Sequence, residues 1–180
     1  QVTYNRSLAT TNWYLISSPF DGDVFDSQFF TDNDIASGSG SNRGIARYTT
    51  STDSWDYLQT GSSIGIGPGV GYSVKRASVG DISIRGTVNI SDVSIALNTG
   101  GSGSFNLLGN PYSSYVNSAT LLTANSSNLV SETIWLWNQS SGNYETKVTA
   151  DAFILAPMQG FFVSAANTNN FVFAESNQQG

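Results

Sequence analysis

The chain has 180 residues, no cysteine, no histidine, 12% aromatic and only 11% charged side chains, and a formal net charge of −6. That length is enough to bury a core in one domain or two small ones without disulfide staples. The acidic balance excludes a nucleic-acid binder, which needs a basic face to displace counterions. The missing thiols and imidazoles exclude disulfides, thiolate nucleophiles, sulfur-ligated metals, most zinc sites and most triads with a histidine base.

Taken in order, the chain reads as short strands and turns. The first strand runs through Trp13-Tyr14-Leu15-Ile16 and stops at Ser18-Pro19, where the proline ends a ladder and holds its predecessor extended. A short segment follows with room for one helical turn, anchored by Phe29-Phe30. A hairpin is predicted from Ile45–Thr49 to Trp55–Leu58, turning through Ser51-Thr52-Asp53-Ser54. Gly71–Lys75 and Asp81–Arg85 close the unit. Thr87–Asn98 alternates apolar and polar residues around Ser91-Asp92 and reads as a bridging hairpin, with Thr99–Ser104 as a linker.

The same order then recurs. Phe105-Asn106-Leu107-Leu108-Gly109-Asn110-Pro111-Tyr112 repeats Trp13–Phe20, and Leu121-Leu122 stands for Phe29-Phe30. Ile134–Trp137 and Tyr144–Val148 form the second hairpin, turning at Gln139–Asn143, and Gly160–Ser164 and Asn170–Ala174 close the unit. Ile64–Val74 matches Phe153–Val163 position by position, and Ile82 and Ile84 fall on Phe171 and Phe173 at the same offset. No apolar period of 3.6 residues persists over a helix length. The expected fold is all-β: two tandem pseudo-repeated β units, sandwich- or barrel-like, packed as one body, with residues 1–98 and 99–180 as the two units. Packing together hides apolar edges that each unit would leave open alone. Asn177–Gly180 reads as the start of a further linker.

The second unit resembles modules common in secreted proteins of Bacteroidetes, often placed just before a type IX secretion sorting domain. The resemblance is carried by Leu107-Leu108-Gly109-Asn110-Pro111-Tyr112, the aromatic strand Ile134-Trp135-Leu136-Trp137, and Pro157-Met158-Gln159-Gly160-Phe161-Phe162-Val163. It covers about the last 75 residues, and the first unit is a diverged copy; Phe105 and Ser113 stand where the family usually has Trp and Pro. The resemblance implies export and display on the bacterial cell surface. It implies no enzyme activity and carries over no binding residue. No signal peptide is visible, so the chain reads as a mature stretch, and no apolar run approaches the roughly 20 residues needed to span a bilayer.

The duplication sorts candidate sites, because a position kept in both copies serves the shared scaffold. Pro19/Pro111, Tyr48/Trp137, Trp55/Tyr144, Pro68/Pro157 and Gly71/Gly160 are structural by that test. The glycine run Gly65–Gly71 lacks the Gly-Lys-Ser/Thr ending of a phosphate loop and leads into a strand. Trp135 faces Ala46 in the alignment, so the fold does not demand it, and a flat indole suits stacking on a sugar ring, or packing against the other unit or a strand beside it. Tyr57, Arg47 and Lys75 join it as candidate ligand-binding residues, the cations for an anionic polysaccharide or simply as edge-strand guards. Asp21, Asp23, Asp26, Asp32 and Asp34 belong to the first copy only. Their spacing would supply hard oxygen ligands to calcium, or merely cap turns. The carboxylate pairs Asp53/Asp56 and Glu132/Glu145 sit in or beside hairpin turns, with nothing to mark them as catalytic. No catalytic residue is assigned. The sequence thus points to a non-catalytic extracellular adhesion or spacer module of a larger secreted protein, or alternatively to a carbohydrate-binding module attached to a polysaccharide-degrading enzyme. Its partners would be a surface polysaccharide or neighbouring protein domains.

Overall fold

The computed structural model describes residues 1–179. The first unit comprises β1 (Val2–Leu8), β2 (Tyr14–Ile16), β3 (Phe20–Asp21), β4 (Asp23–Phe25), α1 (Ser27–Asp32), β5 (Asn42–Thr49), β6 (Ser54–Gln59), β7 (Ile64–Ile66), β8 (Tyr72–Val74) and β9 (Gly80–Val88). The second comprises β10 (Val93–Ala96), β11 (Phe105–Gly109), β12 (Tyr115–Asn117), α2 (Ser118–Ala124), β13 (Thr133–Asn138), β14 (Asn143–Val148), β15 (Ile154–Leu155), β16 (Gly160–Ser164), β17 (Asn170–Phe173) and β18 (Gln178–Gln179).

The two units repeat one topology. A four-stranded sheet runs β2-β8-β5-β6 in the first and β11-β16-β13-β14 in the second. The pair β4-β7 answers to β12-β15, and β1-β9 answers to β10-β17. The fold is all-β and sandwich-like, with no closed barrel among the described residues.

Strand alternation sends one face of each four-stranded sheet into its own core and the other toward the second unit. Ile16, Ile45, Leu58, Tyr72 and Val74 fill the first core with Phe25, Phe29 and Phe30. Leu108, Ile134, Leu136, Phe161 and Val163 fill the second with Leu121 and Leu122. Leu15, Leu107 and Phe162 face the other way and are buried between the units. There β2 packs against β13 and β16, and β11 packs against β5.

The short helices are specified locally. Asp26 caps α1 by accepting from the Phe29 N–H at 2.9 Å, and Asn117 caps α2 through the Ala119 N–H at 2.8 Å. Each helix ends at a buried asparagine that repeats one role. Asn33 donates to the Phe29 carbonyl and accepts from the Ser83 N–H; Asn125 donates to the Leu121 carbonyl and accepts from the Val172 N–H. Each thereby ties its helix to the closing strand, β9 or β17.

The contact between units is itself two-fold. Ile16 bridges Gln159, and Leu108 bridges Val70. The Ser17 N–H donates to the Met158 carbonyl at 3.0 Å, and the Gly109 N–H donates to the Gly69 carbonyl at 3.1 Å. This explains the duplicated glycines. A Cβ on Gly71 would stand 2.5 Å from Leu107 Cγ, and one on Gly160 would stand 2.8 Å from the Ile16 nitrogen. The symmetry breaks at Met158, which holds φ +61° where its counterpart is Gly69. Its side chain is fully buried in the first unit's core, and its carbonyl also accepts from the Arg6 guanidinium at 2.7 Å.

Three expectations are corrected. Thr87–Asn98 is not a hairpin: β9 is flanked by β1 and β3, while β10 pairs with β17. The alternating Val93 and Ile95 pack on the second unit's core, so the chain passes between units near Asn89–Asp92 rather than after Asn98. β1 had no strong signature because Arg6 interrupts its apolar alternation; burial lowers the pKa of that guanidinium. Thr99–Ser104 is not a free linker. The Ser102 N–H donates to Asp53, the Ala165 N–H donates to the Ser104 carbonyl, and Ser164 Oγ donates to the Gly103 carbonyl. Finally, Gln178–Gln179 form β18 and pair with β12 instead of opening a linker; Gly180 lies outside the described residues.

Candidate functional site

Because the sheets pack most tightly at β2 and β11, their far hairpins leave room between them. The chain fills that space with aromatic side chains. Trp13, Tyr57, Trp137 and Tyr144, with Leu15, Ala46, Trp55 and Ser73, line a cleft of about 270 Å³. Tyr48, Phe105, Trp135 and Phe162, again with Trp55 and Tyr144, line a second of about 250 Å³. The two clefts are pseudo-two-fold mates. Trp13 in the first answers to Phe105 in the second, Ala46 to Trp135, Ser73 to Phe162, and Trp137 to Tyr48. Trp55 and Tyr144 sit near the axis and wall both.

The rings hold one another mostly edge to face, the geometry their quadrupoles favour. Tyr48 meets Phe162 at 4.9 Å between centroids, Phe105 meets Trp135 at 5.1 Å, Trp137 meets Tyr144 at 4.9 Å and Trp13 meets Tyr57 at 5.8 Å. Two polar ties fasten the cluster across the units. The Trp137 indole donates to the Trp13 carbonyl at 3.0 Å, and Thr50 Oγ1 donates to the Phe105 carbonyl at 2.7 Å. Tyr57 remains 39% exposed and Tyr144 44%, so the cluster is a wall open to solvent rather than a closed core.

Among the described residues no charged side chain lines either cleft. Desolvation is nevertheless felt: burial, then the hydrogen bond to Asp53, pushes the Tyr48 phenol up to about 12, and burial raises Tyr144. The clefts fall just below the roughly 300–1,000 Å³ of sites for drug-sized ligands, so each suits one ring rather than a whole cofactor. Their chemistry is stacking plus a few hydroxyl contacts.

The candidates from sequence divide. Trp135 is half-buried in the second cleft and packs edge to face on Phe105 of β11 in the same sheet. Tyr57 lines the first cleft. Lys75 is adjacent, its ammonium 6.0 Å from the Trp13 ring centroid, in a neighbouring pocket that shares Trp13 and Tyr57 with the cleft. Arg47 is not brought there. Alternation places it on the opposite face of β5 from Ala46 and Tyr48, where it pairs with Asp56 at 2.8 Å. The pairs kept in both copies, Tyr48/Trp137 and Trp55/Tyr144, form the cleft walls as well as the scaffold. Duplication alone marks them as scaffold, whereas the position of Tyr48 and Trp137 on the strand face opposite Ile45 and Ile134 marks them as cleft walls.

The five aspartates are dispersed by local duties. Asp23 accepts from the Arg85 N–H, Asp26 caps α1, Asp32 stands 3.8 Å from the Arg85 guanidinium, Asp34 accepts from the Ser78 hydroxyl, and Asp21 is exposed. Among the described residues no group of three or more acidic side chains converges to hold a cation. Asp53 accepts from the Ser102 N–H and the Tyr48 hydroxyl, which hold its carboxyl below the usual range. Glu132 accepts from Thr149 and Glu145 from Asn138. Searches of protein-family models, curated proteins and solved structures give no match to this chain.

Proposed function

We propose that the protein is a non-catalytic, exported binding module that takes carbohydrate in the aromatic clefts between its two units. The observation that carries this reading is the pair of uncharged, solvent-open clefts walled by six or more aromatic and aliphatic faces. A pyranose presents an apolar C–H face and a polar hydroxyl edge. Ring-walled clefts that carry tyrosine side chains, with Ser73 also lining the first, match both. The clefts are built mostly from rigid strands joined across a fixed interface, so little order has to be imposed on binding. The resemblance of the second unit to secreted Bacteroidetes modules supports export and surface display. With no carboxylate pair in the clefts, the ligand would be held rather than cleaved.

The test is binding to a panel of neutral and acidic oligosaccharides, with Trp13→Ala and Trp135→Ala beside the wild type. Each stacked ring is worth roughly 0.5–1.5 kcal/mol, a several-fold change in Kd. Retention of at least one glycan, weakened by either variant, is the expected outcome. Retention of none removes the reading and leaves a spacer or an adhesin acting through protein contacts.

A further inference from the structure

We infer that the module selects acidic sugars, binding a uronate carboxylate or a sulfate ester in a basic pocket that continues the first cleft. This rests on the carbohydrate reading and adds the charge of the ligand to it. The pocket has a volume of about 240 Å³ and shares Trp13 and Tyr57 with the cleft, so one saccharide chain can occupy both. Its other walls are the turn at Ala36–Ser39, Asn42, Gly44, Arg43 and Lys75. Among the described residues no aspartate or glutamate lines it.

The chain carries seven basic residues against thirteen acidic ones. Two cations facing one pocket with no carboxylate are therefore unexpected. Among the described residues, the only ion pairs are Arg47 with Asp56 and Arg85 with Asp32, neither in this pocket. The nearest acidic residue in sequence, Asp34, is turned to the Ser78 hydroxyl.

The two cations have different parts. Arg43 is fixed: it donates to Ser37 Oγ at 2.8 Å and to the Ile35 carbonyl at 2.9 Å, and stacks 5.3 Å over the Phe30 ring. It supplies a stationary positive field. Lys75 is half-buried, lies by Trp13 and is tied by no hydrogen bond from its ammonium among the described residues, so its donors are free for a ligand oxyanion. A sugar stacked at Trp13 and Tyr57 would bring an equatorial acidic substituent toward that ammonium. Its hydroxyls would meet Ser37, Ser39 and Asn42.

The second unit does not repeat the Lys75 cation. Lys75 aligns with Ser164, and Arg43 lies in the region where the two copies differ in length. The Lys75 cation thus belongs to one copy, which is how a ligand-specific feature differs from the common scaffold.

The experiment is isothermal titration of the intact chain with tetragalacturonate, its fully methyl-esterified form and a sulfated carrageenan tetrasaccharide. Wild type is compared with Lys75→Met, which keeps the stem beside Trp13 and removes the charge. Lys147→Met, outside the pocket, serves as control, and thermal unfolding confirms that each variant is folded. The inference predicts that one of the acidic glycans binds at least about tenfold tighter than the neutral ester, the scale of a charge-assisted hydrogen bond. It predicts that Lys75→Met abolishes that preference and that Lys147→Met retains it. Whether tetragalacturonate or the sulfated glycan shows the preference distinguishes carboxylate from sulfate. Equal binding of ester and acids, or a preference that survives Lys75→Met, overturns the inference and leaves the carbohydrate reading standing. Binding of none of the three, together with none of the wider panel, overturns both.

Discussion

Met158→Ala probes the joint between the units. The side chain belongs to the second unit by sequence and to the first unit's core by position, and it is fully buried. The substitution leaves the Met158 carbonyl in place to accept from Ser17 and Arg6, so the backbone ties across the joint are retained. What is lost is three heavy atoms from a packed core. Large-to-small changes of this type cost about 2–5 kcal/mol, because a cavity remains where the neighbours cannot close in. In a chain of this size that is a fall of roughly 4–20 °C in Tm. The assay is urea unfolding followed by two probes. All four tryptophans lie at the interface, so their fluorescence reports the joint, while far-UV circular dichroism reports the sheets of both units. If the units form one cooperative body, the two transitions coincide in wild type and in the variant, and both move together. A change below about 0.5 kcal/mol, within the range of ordinary surface substitutions, would refute the placement of Met158. A fluorescence transition that separates from the dichroism signal would refute the single body.

Two other outcomes follow from the same geometry. Gly160→Ala sets a methyl against the Ile16 nitrogen and the Leu15 side chain; it is expected to cost about 1–3 kcal/mol by the same urea assay, since backbone on the facing strand has to yield. In an alkaline titration read at 295 nm, Tyr48 and Tyr112 ionise last. Burial pushes both up to about 12, so the neutral phenol is the form the fold favours. The stability they contribute is complete below the ordinary phenol pKa of about 10 and is lost as pH rises through about 12. Tyr48→Phe removes one late phenol, and completion of the whole titration near pH 10 in folded protein would contradict the assignment.

The repeat was legible because the same physical needs recur at the same positions. Pro19 and Pro111 stop equivalent strands, Gly71 and Gly160 admit the facing strand of the other unit, and Phe29-Phe30 and Leu121-Leu122 seat equivalent helices. Alternation along Val93–Ala96 predicts a strand, which pairs with β17 rather than with the stretch before it. A period of two says which side chains share a face and nothing about which chain segment lies alongside. β1 has no clear signature because a half-buried arginine, satisfied by the Leu15 and Met158 carbonyls, looks polar in sequence. The clefts were only half visible. Trp135 and Tyr57 stood out because the other copy lacks them, whereas Tyr48, Trp55, Trp137 and Tyr144 were hidden by being duplicated. In a body whose units face each other across a pseudo-axis, a residue kept for the scaffold is delivered twice to the same interface and can wall a ligand site as well.

The most direct test of the account is the set of four tryptophan indole N–H resonances in a heteronuclear NMR titration with the tightest-binding oligosaccharide of the panel. Stacking in the clefts predicts saturable shifts of the Trp13 and Trp55 indoles, or of Trp55 and Trp135, at the concentration dependence of binding measured by calorimetry. An oligosaccharide that binds while all four indoles stay unmoved would contradict it.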